Sequence, residues 1–218
     1  MKIGVLGTGM VGVALATKLV ELGHDVVMGA REASNEKAAA WKAKMRGKAA
    51  TGTFADAAKH GTLLINATRG SGSIAALDLA GGNNLNGKVL LDVANPLDFS
   101  KGMPPTLTVT NTDSLGEQIQ RAFPEVKVVK TLNTVNASLM VMPRSLPQEH
   151  SVFLAGNDNL AKKAAAALLK EFGWRDAEIV DVGSIQASRG LEAWLLLWVS
   201  LMGALGTPHF NLKLVKAG

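Results

Sequence analysis

The sequence predicts an α/β fold of the Rossmann type, a doubly wound and mostly parallel sheet with a small helical C-terminal part. Three observations predict it. Short β-branched runs alternate with helical stretches, a glycine fingerprint Gly7-Thr8-Gly9-Met10-Val11-Gly12 follows the first run, and one apolar stretch near the end reads as a helix. Strand alternating with helix gives a parallel sheet with helices packed on both faces.

The first run, Ile3 to Leu6, leads straight into the glycines and then into Val13-Ala14-Leu15-Ala16, so strand, turn and helix follow one another. At this spacing one glycine makes the tight turn, the second lets backbone approach a pyrophosphate, and the third brings helix against strand. The phosphates then rest on the free N–H groups of the helix N-terminus. A secretory signal is the competing reading of this segment. Three glycines in register make a poor signal core, and cleavage would remove the first strand. Gly23 closes the helix in the left-handed position, so His24 is a helix-end residue favoured by the dipole rather than a catalytic base.

Further strands are predicted at Val26 to Met28, Leu63 to Ile65, Val89 to Val93, Val126 to Val129, Val152 to Leu154 and Ile179 to Val182. Helices are predicted over Ala38 to Met45 and Leu160 to Phe172. The loop Asn95 to Thr112, with Pro96, Pro104 and Pro105, is long for a compact domain and is a candidate functional loop. Residues 1–182 form the expected dinucleotide-binding domain and 183–218 a helical C-terminal segment. Within that segment Trp194 to Leu205 is too short to cross a bilayer, which takes about 20 residues. It reads either as a core helix over its own sheet or as the interface of a homodimer, and a homodimer is expected.

A chain of 218 residues with 47% apolar content can bury a sizeable core. Its net charge of +5 favours anionic ligands but lacks the long basic tracts of a nucleic-acid binder, and no membrane partner is expected. Lys42, Lys44, Arg46 and Lys48 form the one basic cluster, read as a solvated helix face, with a second role open because in a nucleotide-binding fold this helix starts beside the adenosine ribose. The absence of cysteine removes any disulfide framework, so the cytoplasm is the expected compartment.

Function is read from the residues that follow each strand. After the second stands Ala30-Arg31-Glu32, where an NAD enzyme places a carboxylate on the ribose 2′-hydroxyl. Arg31 matches a 2′-phosphate instead, which favours NADP, with Lys37 a second candidate for the phosphate and Glu32 tempering the preference. After later strands come Asn66-Ala67-Thr68, Ala94-Asn95-Pro96-Leu97 and Asn133-Thr134-Val135-Asn136-Ala137. Asn66 reads as a turn former, while Asn95 and Asn133 are placed to face a cofactor. These loops hold no general acid, base, thiol or metal-ligand set. They suit a hydride passed between stacked rings, where protein supplies orientation. No catalytic residue and no metal is therefore assigned.

These loops, together with Ala155-Gly156-Asn157-Asp158, Asp181-Val182-Gly183-Ser184 and Ser188-Arg189-Gly190-Leu191-Glu192, resemble the coenzyme F420-dependent NADP oxidoreductase family in order along nearly the whole chain. The resemblance implies hydride exchange between C4 of NADPH and C5 of a deazaflavin. It implies that Thr8, Met10 and Val11 cradle the pyrophosphate, that Arg31 holds the 2′-phosphate, and that Asn133 to Ala137 positions the nicotinamide. Val135, Pro96 and Arg189 are expected to flank the acceptor, with Arg189 alternatively a surface ion pair with Glu192. Asn133 and Asn136 replace a histidine and a proline of the archaeal enzymes. Coenzyme F420, a flavin or a metal chelate therefore all stand as acceptor, beside an NADP(H)-sensing module without turnover.

Overall fold

The structure, a computed structural model, describes residues 1–217; Gly218, the last residue of the expected C-terminal segment, lies outside the described residues. Its centre is an eight-stranded sheet in the order β10-β9-β8-β5-β4-β1-β2-β3. The strands are β1 Lys2–Leu6, β2 Asp25–Ala30, β3 Ala49–Thr53, β4 Leu63–Asn66, β5 Val89–Asp92, β8 Lys127–Thr131, β9 Val152–Gly156 and β10 Ile179–Asp181. β6 (Leu97–Asp98) and β7 (Thr106–Leu107) pair as a separate antiparallel ribbon in the loop predicted to be functional. The order reverses between β1 and β4, the switch point where ligands bind in such sheets. β9 runs antiparallel to β8, with β10 parallel to β9, so the sheet is mostly rather than wholly parallel.

Side-chain alternation sorts the core into two layers. Ile3, Val5, Ile65, Leu91 and Val129 point to one face, under α1 (Met10–Glu21), α2 (Glu36–Lys44), α7 (Ala137–Val141) and α8 (Asn159–Glu171). Leu6, Leu64, Leu90 and Val128 point to the other, under α3 (Phe54–His60), α4 (Ser73–Ala80), α5 (Gly82–Leu85) and α6 (Leu115–Ala122). The α1 terminus closes as expected, with Gly23 at φ +85° and His24 N–H on the Leu19 carbonyl. The His24 ring accepts from the Met1 ammonium at 3.1 Å and donates to Glu171 at 2.8 Å, a tie between chain start and α8.

The predicted apolar stretch is the end of a longer helix, α9 (Ser188–Leu205). Leu191, Glu192 and Leu195 are buried, whereas Leu196, Leu197 and Leu205 are exposed. The helix is thus core at its start and an uncovered apolar surface towards its end. No helix among the described residues is long and apolar enough to cross a membrane.

Candidate active site

The cradle forms at the switch point. Gly7 holds φ +123°, and a Cβ there would stand 2.5 Å from the Ala67 carbonyl oxygen. A Cβ on Gly12 would stand 2.2 Å from the Gly7 carbonyl oxygen, closer than any real contact. Both glycines are demanded by the chain itself. Gly9 is different, because a Cβ on it would meet nothing within 4 Å. It borders open space at the start of α1, which carries no side-chain cap, so the first helical N–H groups face outward for an anion. Thr8 and Val11 are half-buried and Met10 exposed around this space.

Arg31 leaves the end of β2 directly after buried Ala30. It is exposed and enters no ion pair among the described residues. Asn35 caps α2 by accepting from the Ala38 N–H at 3.0 Å, which places exposed Lys37 in the first turn of that helix. Glu32 is exposed beside Arg31.

Across the switch point, Asn66 is more than a turn former. Its Oδ1 accepts from the Thr68 hydroxyl at 2.7 Å, while its Nδ2 donates to Asp92 at 2.8 Å. Asn95 Nδ2 donates to the Asn133 carbonyl at 2.8 Å, and Asn133 Nδ2 donates to Asn95 Oδ1 at 2.9 Å and to the Leu191 carbonyl at 3.0 Å. The turn before it is strained, since buried Leu132 holds φ +60°. For a bulky side chain that conformation is an outlier held by its surroundings.

These loops enclose a cavity of about 200 Å³ lined by Met10, Val11, Val93, Asn95, Asn133, Val135, Ala137, Leu195 and Trp198 among others, none of its lining residues titratable. A second hollow of about 200 Å³ shares Val11, Val93 and Asn95 with it and reaches Ala67, Thr68 and Phe99. A groove of about 520 Å³ between α1 and α7 shares Met10, Asn136 and Ala137 with the first cavity and runs to Lys18 and His209. Trp198 is backed by Phe210, the rings stacked at 5.4 Å.

Two sequence expectations do not reach the cavity. Pro96 is buried with its carbonyl accepting from the Thr108 N–H, and it lines none of these spaces. Arg189 lies elsewhere too. Its guanidinium donates to Glu117 at 2.8 and 2.6 Å, neither facing the cavity nor pairing with Glu192. That pairing holds the Glu117 carboxyl below its ordinary range, outweighing burial. Sequence reasoning missed Asp92, Lys130 and Glu192, which form a buried charged cluster beneath the loops. The signal that marks two of them is a charge directly after an apolar run, Asp92 after Val89-Leu90-Leu91 and Lys130 after Val128-Val129.

Residues 2–96 match the family described as NADP oxidoreductase, coenzyme F420-dependent. The chain is 52% identical to a candidate F420-dependent NADP reductase from Arthrobacter sp. FB24, with a TM-score of 0.94, covering 99% of this chain and 100% of that one. It is 26% identical over 214 residues to the F420-dependent NADP reductase of Methanothermobacter marburgensis, covering 92% of each chain. It is also 28% identical over 194 residues to rat metalloreductase STEAP3. That match takes in 88% of this chain, which spans only 36% of the rat protein.

Proposed function

The chain belongs to the coenzyme F420-dependent NADP oxidoreductase family and is an NADP-dependent oxidoreductase, and we propose that it passes hydride between NADP(H) and a planar deazaflavin or flavin-like acceptor. Bound NADPH supplies a hydride from C4 of its nicotinamide. The residues fit such a ligand, because Gly9 borders open space that a side chain would occupy and Arg31 stands free at the end of β2.

In this reading Gly7 to Gly12, with Ala67 and Thr68, hold the pyrophosphate, and Arg31 with Lys37 holds the 2′-phosphate against Ala30. Asn95, Asn133, Val135 and Ala137 orient the nicotinamide. Leu195 and Trp198 close the acceptor side and keep water out. The observation that carries the reading is the cavity itself, whose lining has no titratable side chain. A lining of this kind suits hydride transfer, in which the protein supplies orientation rather than a proton. The adjoining groove offers space for the rest of a large acceptor. Residues 1–182 then serve as the nucleotide-binding part, and α9 (Ser188–Leu205) supplies the wall on its acceptor side. The expected helical segment is helical only as far as Leu205, and residues 206–217 run on as an irregular tail.

The likeness to rat metalloreductase favours a second reading with a ferric chelate as acceptor. NADPH oxidation followed in parallel with coenzyme F420, FMN, FAD and ferric chelates separates the two. Turnover with a planar ring supports the first, turnover with iron alone the second, and none with any acceptor supports an NADP(H)-sensing module. We further propose that the exposed leucines of α9 meet a second copy of the chain. A dimer elution volume in gel filtration at micromolar protein supports this, and a monomer volume removes it.

A further inference from the structure

Charges rarely sit fully buried unless paired, yet β5 ends in Asp92 and β8 carries Lys130, both without solvent exposure. The Lys130 ammonium lies 2.6 Å from the Asp92 carboxylate and 2.8 Å from that of Glu192 on α9, and it donates to the Ala94 carbonyl at 2.8 Å. All three of its protons have an acceptor. Burial alone would lower an ammonium's pKa; here the two carboxylates outweigh it and push Lys130 up, so it stays charged. The cluster holds one more carboxylate than cation. That excess meets the start of α6, where the Leu115 and Gly116 N–H groups donate to Glu192 at 2.8 and 3.0 Å, at the positive end of the helix dipole.

Desolvating three charges offsets much of their mutual attraction, so such a cluster contributes little net stability, whereas its geometry admits one register. What it registers is the acceptor side of the cavity. Ala94 precedes Asn95, Glu192 follows the Leu191 carbonyl that accepts from Asn133, and Leu195, almost one turn on, lines the cavity. Through Asn66 the same polar chain reaches Thr68 beside the cradle.

We propose that Lys130 and Glu192 are positioning residues that hold the α9 wall in register over the Asn95–Asn133 pair and so set where the acceptor lies against the nicotinamide. The inference rests on the hydride-transfer reading. It concerns residues that do not touch either substrate.

Glu192→Gln keeps the side-chain size and leaves Lys130 and Asp92 as a balanced pair. Lys130→Met with Asp92→Asn leaves Glu192 on the α6 N–H groups but cuts it from the sheet, a second route should the first variant fold poorly. In the full chain, the expected result is amide exchange about tenfold faster across residues 188–199 with β1 unchanged. NADPH affinity stays within about twofold while kcat falls about tenfold or more and the acceptor KM rises. Parental exchange in α9 overturns the proposal. So does faster exchange throughout the molecule with kcat per folded molecule intact, which is the mark of a merely structural role. A parent enzyme without turnover removes the hydride reading alone, and the exchange comparison still decides whether the cluster anchors α9.

Discussion

Asn95 and Asn133 hold each other across the ends of β5 and β8, each donating a side-chain N–H to the other residue at 2.8 and 2.9 Å. The pair joins the two loops on which the nicotinamide is proposed to rest. Asn133 is almost fully buried and spends its second proton on the Leu191 carbonyl. Truncation to Asn133→Ala strands two acceptors in the interior, and its expected cost is about 1–3 kcal/mol of stability. Urea unfolding checks the cost, and kcat should fall with it. A variant with parental stability and parental kcat takes the pair out of the site.

The glycines separate ligand from fold. Gly12→Ala drives a methyl onto the Gly7 carbonyl and should destabilise the chain by about 1–3 kcal/mol as helix and strand are forced apart. Gly9→Ala meets no protein atom within 4 Å, so its stability should stay close to the parent while NADPH binding weakens. Thermal unfolding and NADPH titration of both variants distinguish the two roles. Undiminished NADPH affinity in Gly9→Ala contradicts the cradle.

Arg31 is the residue that separates NADP from NAD. Arg31→Ala should weaken NADPH binding by about 1.5–3 kcal/mol, about tenfold to 150-fold, and leave NADH nearly untouched. Equal losses for both cofactors would place Arg31 on the adenosine or on the pyrophosphate instead.

The Glu117–Arg189 pair makes an acid-sensitive contribution. The guanidinium holds the Glu117 carboxyl below its ordinary value, so the folded state binds this proton less readily than the unfolded one. The stabilisation is whole above the unfolded value of about 4.3 and is lost as pH falls below it through the folded value. Arg189→Met should therefore lower stability at neutral pH. Its stability should also fall less steeply than the parent's between about pH 5 and pH 3. Parallel stability curves for the two proteins contradict the pairing.

Much of the fold is legible in the sequence because its signals are local. Val26 to Met28 and Leu63 to Ile65 declare strands by composition, and Gly7 to Gly12 lie within one turn of their own helix. β3 carries no such signal. Ala49 to Thr53 is an alanine, threonine and glycine edge strand, half-exposed and paired on one side with β2 alone. Arg31 is legible for the same local reason as the glycines. The partner of Arg189 is not, since Glu117 lies 72 residues away on another helix and reaches it only through packing. Lys130, Asp92 and Glu192 likewise meet only once β5, β8 and α9 are assembled. Asp92 and Lys130 leave a trace in the sequence, each a charge directly after an apolar run.

One isotope experiment follows the hydride itself. NADPH carrying deuterium at both C4 positions, mixed with the protein and coenzyme F420, should leave deuterium bonded at C5 of the reduced deazaflavin, with NADP⁺ as the other product and the balancing proton taken from water. Reduced acceptor without deuterium at that carbon, or NADPH left unoxidised by F420 and by flavins alike, contradicts direct transfer between two rings in this cavity.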